Sequence, residues 1–533
     1  MTKQLNIHDI VVPKSTNLRG TDLTDAPVAS ILGVSDAAAA ALKTGLGVST
    51  VAELANHPSV MRAQAAVSVA ASASSPAQDA FYTLLASNVQ TSLGASLGGT
   101  FSPVNYPTGF PVCTKGQVGH QYYSQNSLIA LDALLAPAND VLLQFENQNF
   151  STYYYQILNQ VFWQLSTADQ ATINSPAVGQ AQALVWAAVA QDQVPVSSSL
   201  SWGALVTWVF TNYGQGLTPQ NNVTLSQAAV NMNLAYPNTS QALTNYINTQ
   251  GPASAIQVAQ SAGLQELAAA KFNTLTPNAA NGGMQTGANS YYVGYNVPVW
   301  ANLTAGLSNT NNRITVGCTA NSFSSTGTNL TVANASYSVQ PGWFSFTAEG
   351  SASATNVETY TSATSTMTLS IIYPGVTTFG TAVTPISTNL AIGWFDNTVL
   401  TQIIQTWNAP TVTGFAINAG TANQPPTTFG QGKPFVQLKT WVISNPPTIS
   451  FTITDADVTA MSAAFKEGSA YTTIGIFSGS AGVQSSGYTV SNFQAVESTV
   501  TVTLTATNVP LLPATEQMAF VLGGVASYPP TNP

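Results

Sequence analysis

Apolar positions along the chain follow two rhythms, and the change falls near residue 280. Before it, apolar residues recur every three to four positions among Ala, Leu and Gln, the period of a helix with one buried face. After it, they alternate with Thr, Ser, Gly and Asn, the period of a strand buried on one side. The first rhythm predicts helices over Ser127–Leu135, Tyr153–Leu165, Val178–Gln193, Leu200–Asn212, Leu225–Leu234 and Ala253–Phe272. Ser166-x-x-Asp169 and Thr224-x-x-Gln227 mark starts, because a hydroxyl at the cap position takes the free N–H groups of a first turn. The second rhythm is strictest at Ser498–Ala506, with Val500, Val502 and Leu504 on one face and threonines on the other. Thr366–Tyr373, Phe435–Ser444, Thr448–Thr454 and Tyr471–Phe477 repeat it, and one short helix, Asp455–Phe465, interrupts them.

These rhythms predict an α+β multidomain chain, an N-terminal all-α region followed by one or two antiparallel β-sandwich domains. Parallel strands need helical crossovers, and few are visible. The expected organisation is a small helical unit at 1–75, a charge-poor helical domain at 76–275, a linker at 276–284 and a β-sandwich region at 285–533. A split within the β region is expected near 381–394. The linker, Thr276-Pro-Asn-Ala-Ala-Asn-Gly-Gly283, has turn-forming composition. In the first unit, Gly33-Val-Ser-Asp36 and Gly47-Val-Ser-Thr50 each lead into a short apolar helix, in the manner of a helix-hairpin-helix element. Ser35 is the expected cap of the first helix, and Thr50 with Glu53 forms a capping box for the second. Only Lys43 and Arg62 lie nearby, so packing is the better reading than contact with a DNA backbone.

Charge changes the picture most. Of 533 residues, 11 are basic and 20 acidic, so 6% are charged, against roughly 25% in ordinary soluble domains. No Lys or Arg lies between Lys115 and Lys271, or between Arg313 and Lys433. Nucleic-acid binding needs cations to displace counterions from phosphates, and this chain has no basic groove to offer. The longest dense apolar run, Ala183–Ala190, is far shorter than the ~20 residues of a membrane span. The opening residues, Met1–Pro13, lack the apolar core of a secretory signal. Cys113 and Cys318 are read as two buried thiols, since two cysteines are no disulfide framework. Trp163, Trp186, Trp202 and Trp208 are read as an aromatic core.

Candidate chemistry is sparse. Gly94-Ala-Ser96-Leu-Gly98 matches the nucleophile-elbow string, but helical sequence precedes it and the only later histidine is His120. His8, His57 and His120 are isolated, without metal-ligand spacing. Gly430-Gln-Gly432-Lys433 is a turn, because Pro434 stands where a P-loop needs Ser or Thr. Glu349 and Glu358 lie in strand-like sequence with no sugar cleft suggested around them. Asp455 and Asp457 form the tightest acidic pair of the β region. As two oxygen donors they are the candidate calcium ligands, weighed against N-capping of the helix that follows. No other cofactor is expected.

Composition therefore carries the functional expectation. Charges keep proteins apart and blunt exposed sheet edges; a surface of Thr, Ser, Asn and Gln gives that up. The expected function is a non-enzymatic, self-assembling structural protein (a surface layer, sheath, filament or coat subunit) whose partner is itself. Its expected place is the cell surface or exterior, reached without a visible signal peptide. The alternative is a pore-forming or insecticidal-type toxin. A helical region ahead of β domains resembles the element order of three-domain crystal toxins, although none of their sequence blocks is present. The small polar alternation of Ser345–Tyr373 also matches pore-lining hairpins. Under that alternative alone, a target membrane is a partner.

Overall fold

The alternation that dominates the second half of the sequence becomes one sheet of ten strands. In the computed structural model, the described residues are 26–30, 35–46, 49–51, 76–112, 121–139, 141–197, 201–214, 222–309, 311–324, 327–348, 355–476, 488–506 and 517–530. The ten strands run in the order Ala335–Val339, Gly327–Val332, Arg313–Ser324, Thr366–Pro374, Thr448–Thr454, Thr499–Ala506, Tyr488–Val496, Ala470–Ile476, Phe344–Ala348, Thr355–Asn356. Every adjacent pair is antiparallel. Met367, Leu369 and Ile371 are buried with Ile449, Phe451, Ile453, Val500, Val502 and Leu504 on one face, as the alternation requires.

That sheet is bent over its own buried face. Phe344 and Phe451 lie four strands apart in the sheet, roughly 19 Å along a flat surface at about 4.8 Å per strand. Their ring centroids are nevertheless 5.5 Å apart, and those of Phe346 and Phe451 are also 5.5 Å apart. The expected two-sheet sandwich is thus replaced by a single sheet that supplies both sides of its core. Apolar residues of the Pro76–Leu93 helix, Phe81, Leu85 and Val89, join the same core. Asn88 ties that helix to the sheet by donating to the Thr315 carbonyl at 2.9 Å.

A second sheet departs from the expected all-helical order before residue 275. Its six strands run Thr377–Gly380, Gln437–Ser444, Gln517–Ser527, Phe101–Val112, Leu143–Asn149, Ala133–Pro137. Strand Phe101–Val112 carries Pro103, Pro107 and Pro111, residues that lack a ladder donor and read against a strand. A register shift between Pro103 and Thr108 lets it pair with Gln517–Ser527 all the same. The central strand is hemmed in on both sides. A Cβ on Gly523 (φ +146°) would stand 2.2 Å from the Ser102 carbonyl oxygen, and one on Gly524 would stand 2.0 Å from that of Thr440. Only glycine fits there. Phe150 stacks on Phe435 at 4.5 Å in the core behind this sheet, with Tyr154, Trp394 and Trp441 around them.

Helices do dominate residues 167–275; the start expected at Ser166 holds, whereas Thr224 falls inside the helix Asn222–Asn231 and not at its cap. Ser166, Ser175 and Ser201 each cap a helix through Oγ, accepting from Asp169 N (3.0 Å), Val178 N (3.4 Å) and Ala204 N (3.3 Å). The helices Pro176–Gln191, Trp202–Tyr213, Asn222–Asn231, Pro237–Thr249 and Gly251–Leu275 enclose Val185, Leu205, Val209, Leu225, Met232 and Val258. Trp186, Trp202 and Trp208 pack against this core, but Trp163 does not. The helix expected over Tyr153–Leu165 ends at Gln160, and Trp163 stands on the strand Val161–Gln164, paired with Gly414–Ile417. Likewise the helix expected over Ser127–Leu135 stops at Leu131, where Ala133–Pro137 turns to strand.

The chain divides into two compact units, Met1–Ser74 and Ser75–Pro533. In the first, Ser35 caps the helix Asp36–Leu46 through a bond from Ala38 N (3.1 Å), and Pro27 bridges to Thr50. Glu53, His8, His57, Cys113, His120 and Glu349 lie outside the described residues.

Candidate functional site

Two arrangements stand out in the larger unit: rows of uncharged side chains and a pair of acids, one of them buried. The rows cross the outer face of the ten-stranded sheet, whose Arg313 lies beyond them at the end of its strand. Strand register lines up Ser336, Thr331, Thr319, Thr368, Thr452, Thr501 and Gln494 in one row across seven strands. A parallel row holds Gly317, Ser370, Ser450, Thr503 and Asn492. Hydroxyls bond sideways along them, Thr452 to Thr501 at 3.0 Å, Ser450 to Thr503 at 3.3 Å and Thr331 to Ser336 at 3.2 Å. No charged residue occupies either row. At one end of the sheet, Ala335–Val339 pairs on one side only, and its sequence, Ala-Ser-Tyr-Ser-Val, carries no charge to discourage a further strand.

The acids are Glu266 and Asp396. Glu266 stands on the long helix Gly251–Leu275. Asp396 caps the helix Asn397–Thr406, its Oδ1 accepting from Thr398 N (2.9 Å) and Val399 N (3.2 Å). Both line a cleft of about 590 Å³, together with Trp163, Phe395, Phe415 and Gln402. Asp396 is 2% exposed; Glu266 is half-buried. Burial first, then a hydrogen bond and repulsion from Asp396, push the Glu266 carboxyl up to about 8. Glu266 therefore holds a proton at neutral pH. Asp396 Oδ2, with no other donor in reach, is the oxygen left to receive it. From the third side, the Tyr154 hydroxyl accepts the Asp396 N–H at 2.9 Å. Gly263 admits Trp163, since a Cβ there would lie 2.0 Å from the indole ring.

A second buried acid, Asp132, is chemically different. Its carboxylate accepts from Ser151 N (2.9 Å), Ser151 Oγ (2.5 Å), Tyr292 Oη (2.8 Å) and Tyr295 Oη (2.5 Å). Burial still raises its pKa to about 6, with the four donors pulling the other way. Every lone pair has a use inside the protein, so this is a structural knot.

Asp455 and Asp457 are both exposed. Asp457 Oδ1 caps the helix Val458–Ala464, accepting from Ala460 N at 3.0 Å, while Asp455 Oδ1 accepts from Ser498 Oγ at 3.3 Å. Among the described residues no cluster of three His, Cys, Asp or Glu side chains is placed to hold a metal. Ser96 sits in a short 3-10 turn and donates to the Leu93 carbonyl at 2.6 Å. Glu358 Oε1 accepts from Gly342 N at 3.0 Å. The Gly430–Lys433 segment is a turn closed by Lys433 N to the Gly430 carbonyl at 3.1 Å. Cys318 is a free, buried thiol, pushed up to about 12 by burial.

Sequence reasoning missed Glu266 and Asp396, which lie 130 positions apart and form no local motif. A signal was present nonetheless. Glu266 is the one acid between Asp192 and Glu349, in a chain that keeps few charges anywhere.

Compared with protein families, curated proteins and solved structures, the chain matches none. Among the described residues, no helix is long and apolar enough to cross a membrane.

Proposed function

We propose that the chain is a non-enzymatic structural subunit that assembles with copies of itself outside the cell. The observation that carries this reading is the seven-strand row of uncharged side chains on the ten-stranded sheet. Thr, Ser and Gln desolvate at far lower cost than Lys or Glu, and they offer donors and acceptors to an identical neighbour. The uncharged edge Ala335–Val339 supplies a second contact, strand to strand.

Negative-stain electron microscopy of the full-length protein at neutral pH, without lipid, tests this. Ordered sheets, tubes or fibres are expected. Thr319→Lys with Thr501→Lys, which puts charge into the row, should abolish them while leaving the circular dichroism spectrum unchanged. Dispersed monomers in buffer at every concentration would sink the reading. One observation favours the toxin alternative: Leu184 (71%), Val223 (76%), Val230 (55%) and Leu234 (98%) are exposed on the charge-poor helical layer. Under it, rings form only on liposomes and dye is released.

A further inference from the structure

The residues that line the cleft around Glu266 and Asp396 lie outside the ten-stranded sheet, and the chemistry of the cleft is specific. It is lined by two carboxyls and three aromatic rings, with no Lys, Arg or His among its walls. Two buried polar atoms on those walls, Asn397 Oδ1 and Trp163 Nε1, have no protein partner, and Asp396 Oδ2 has none besides the acid group of Glu266. Native interiors leave few such atoms, and their gathering around one cleft points to something that enters it.

We propose that this cleft binds a small organic cation, an ammonium group joined to an apolar body. A buried carboxylate pair repels anions and gains little from a neutral molecule; a cation meets the negative charge that the protein leaves unpaired. Trp163, Phe395 and Phe415 provide the apolar walls, and aromatic rings beside a carboxylate are the surroundings in which alkylammonium groups are held. About 590 Å³ suits a small organic molecule. A bare metal ion fits poorly, since calcium takes six to eight oxygens and the described residues bring no third acid to the pair.

Binding is coupled to a proton. When the cation arrives, Glu266 releases the proton it shares with Asp396, and the pair carries two charges against the ligand's one. The titratable groups facing Glu266 are Asp396, at the start of the Asn397–Thr406 helix, and Tyr154, from the Phe150–Gln160 helix. Lys271, further along the helix of Glu266, responds to burial alone.

Titration calorimetry of the full-length protein with choline, whose charge is the same at every pH, tests the proposal. Its uncharged isostere 3,3-dimethyl-1-butanol is the control, and calcium is run in parallel. Choline affinity should rise about tenfold per pH unit from pH 6 to 8, then level off, as one proton leaves per ligand bound. Heats measured in two buffers of different ionisation enthalpy should report that proton directly in the unmodified protein. The alcohol should bind at least tenfold more weakly than choline at pH 9. Glu266→Gln should remove both the pH slope and the proton release. Four results would each overturn the proposal: no choline heat at pH 9, equal binding of the alcohol, choline binding without proton release, or calcium binding that excludes choline.

Discussion

Asp132 and the Glu266–Asp396 pair are both buried acids in a chain nearly stripped of charge, yet they are treated in opposite ways. Asp132 is surrounded by four donors from two segments, Ser151 on one side and Tyr292 and Tyr295 on the other, and it holds them together. Asp396 receives two backbone N–H groups through one oxygen and faces a second acid with the other. The first arrangement spends its acceptors on the fold. The second leaves one available. A buried acid in this protein is thus committed to the fold or left with a free acceptor according to who supplies its donors, not according to how deeply it lies.

The largest expected effect comes from breaking the satisfied site. Asp132→Ala leaves the Ser151 and tyrosine donors buried without an acceptor, and each such group costs about 1–3 kcal/mol. Urea unfolding should show a loss of roughly 3 kcal/mol or more; a change under 1 kcal/mol would mean that water replaces the carboxylate.

pH separates the two sites. Both acids have folded pKa values above their ordinary ones, about 6 for Asp132 and about 8 for Glu266. Each favours the folded state while protonated, so its contribution is complete below its unfolded pKa and is lost as pH rises through the folded one. Unfolding midpoints should fall between pH 4 and 8. Asp132→Asn should remove its share of the slope between about 4 and 6, and Glu266→Gln its share over the whole stretch from about 4.5 to 8. A slope above about pH 6 that survives in Glu266→Gln would contradict the assignment.

Gly263→Ala probes the wall rather than the acids. Its Cβ would lie 2.0 Å from the Trp163 ring, so the indole must move, at a cost of about 1–3 kcal/mol and a shift in tryptophan emission. Gly179→Ala, where nothing lies within 4 Å, should instead stabilise its helix by about 0.5–1 kcal/mol. The smallest change concerns an exposed acid. Asp457→Ala removes one helix cap, worth about 1 kcal/mol, and thermal unfolding with and without calcium should give the same difference if capping is its whole role.

Elements with one dry face were legible from the sequence. Thr366–Pro374, Thr448–Thr454 and Thr499–Ala506 show their alternation because each buries every second residue. The caps at Ser35, Ser166 and Ser201 were equally readable as chemistry, although only the first two lay at expected helix starts. Phe101–Val112 was hidden by its prolines, and its pairing is set by a strand more than 400 positions away. That the ten strands form one bent sheet was out of reach for a similar reason: curvature depends on which distant strands share a core, as Phe346 and Phe451 do. The acid pair was invisible because neither residue has a local partner; only its isolation in a charge-poor chain marked Glu266.

The pairing of Phe101–Val112 with Gln517–Ser527 also sets a schedule for synthesis. A ribosome adding about 5–20 residues per second needs roughly 20–80 s to travel from one strand to the other. Throughout that interval the six-stranded sheet lacks its central member, and the proline-bearing strand has no antiparallel neighbour to occupy its free side. The three prolines then acquire a second use. They remove donors from a strand that must wait in the presence of other nascent chains, and so make it a poor template for the wrong partner.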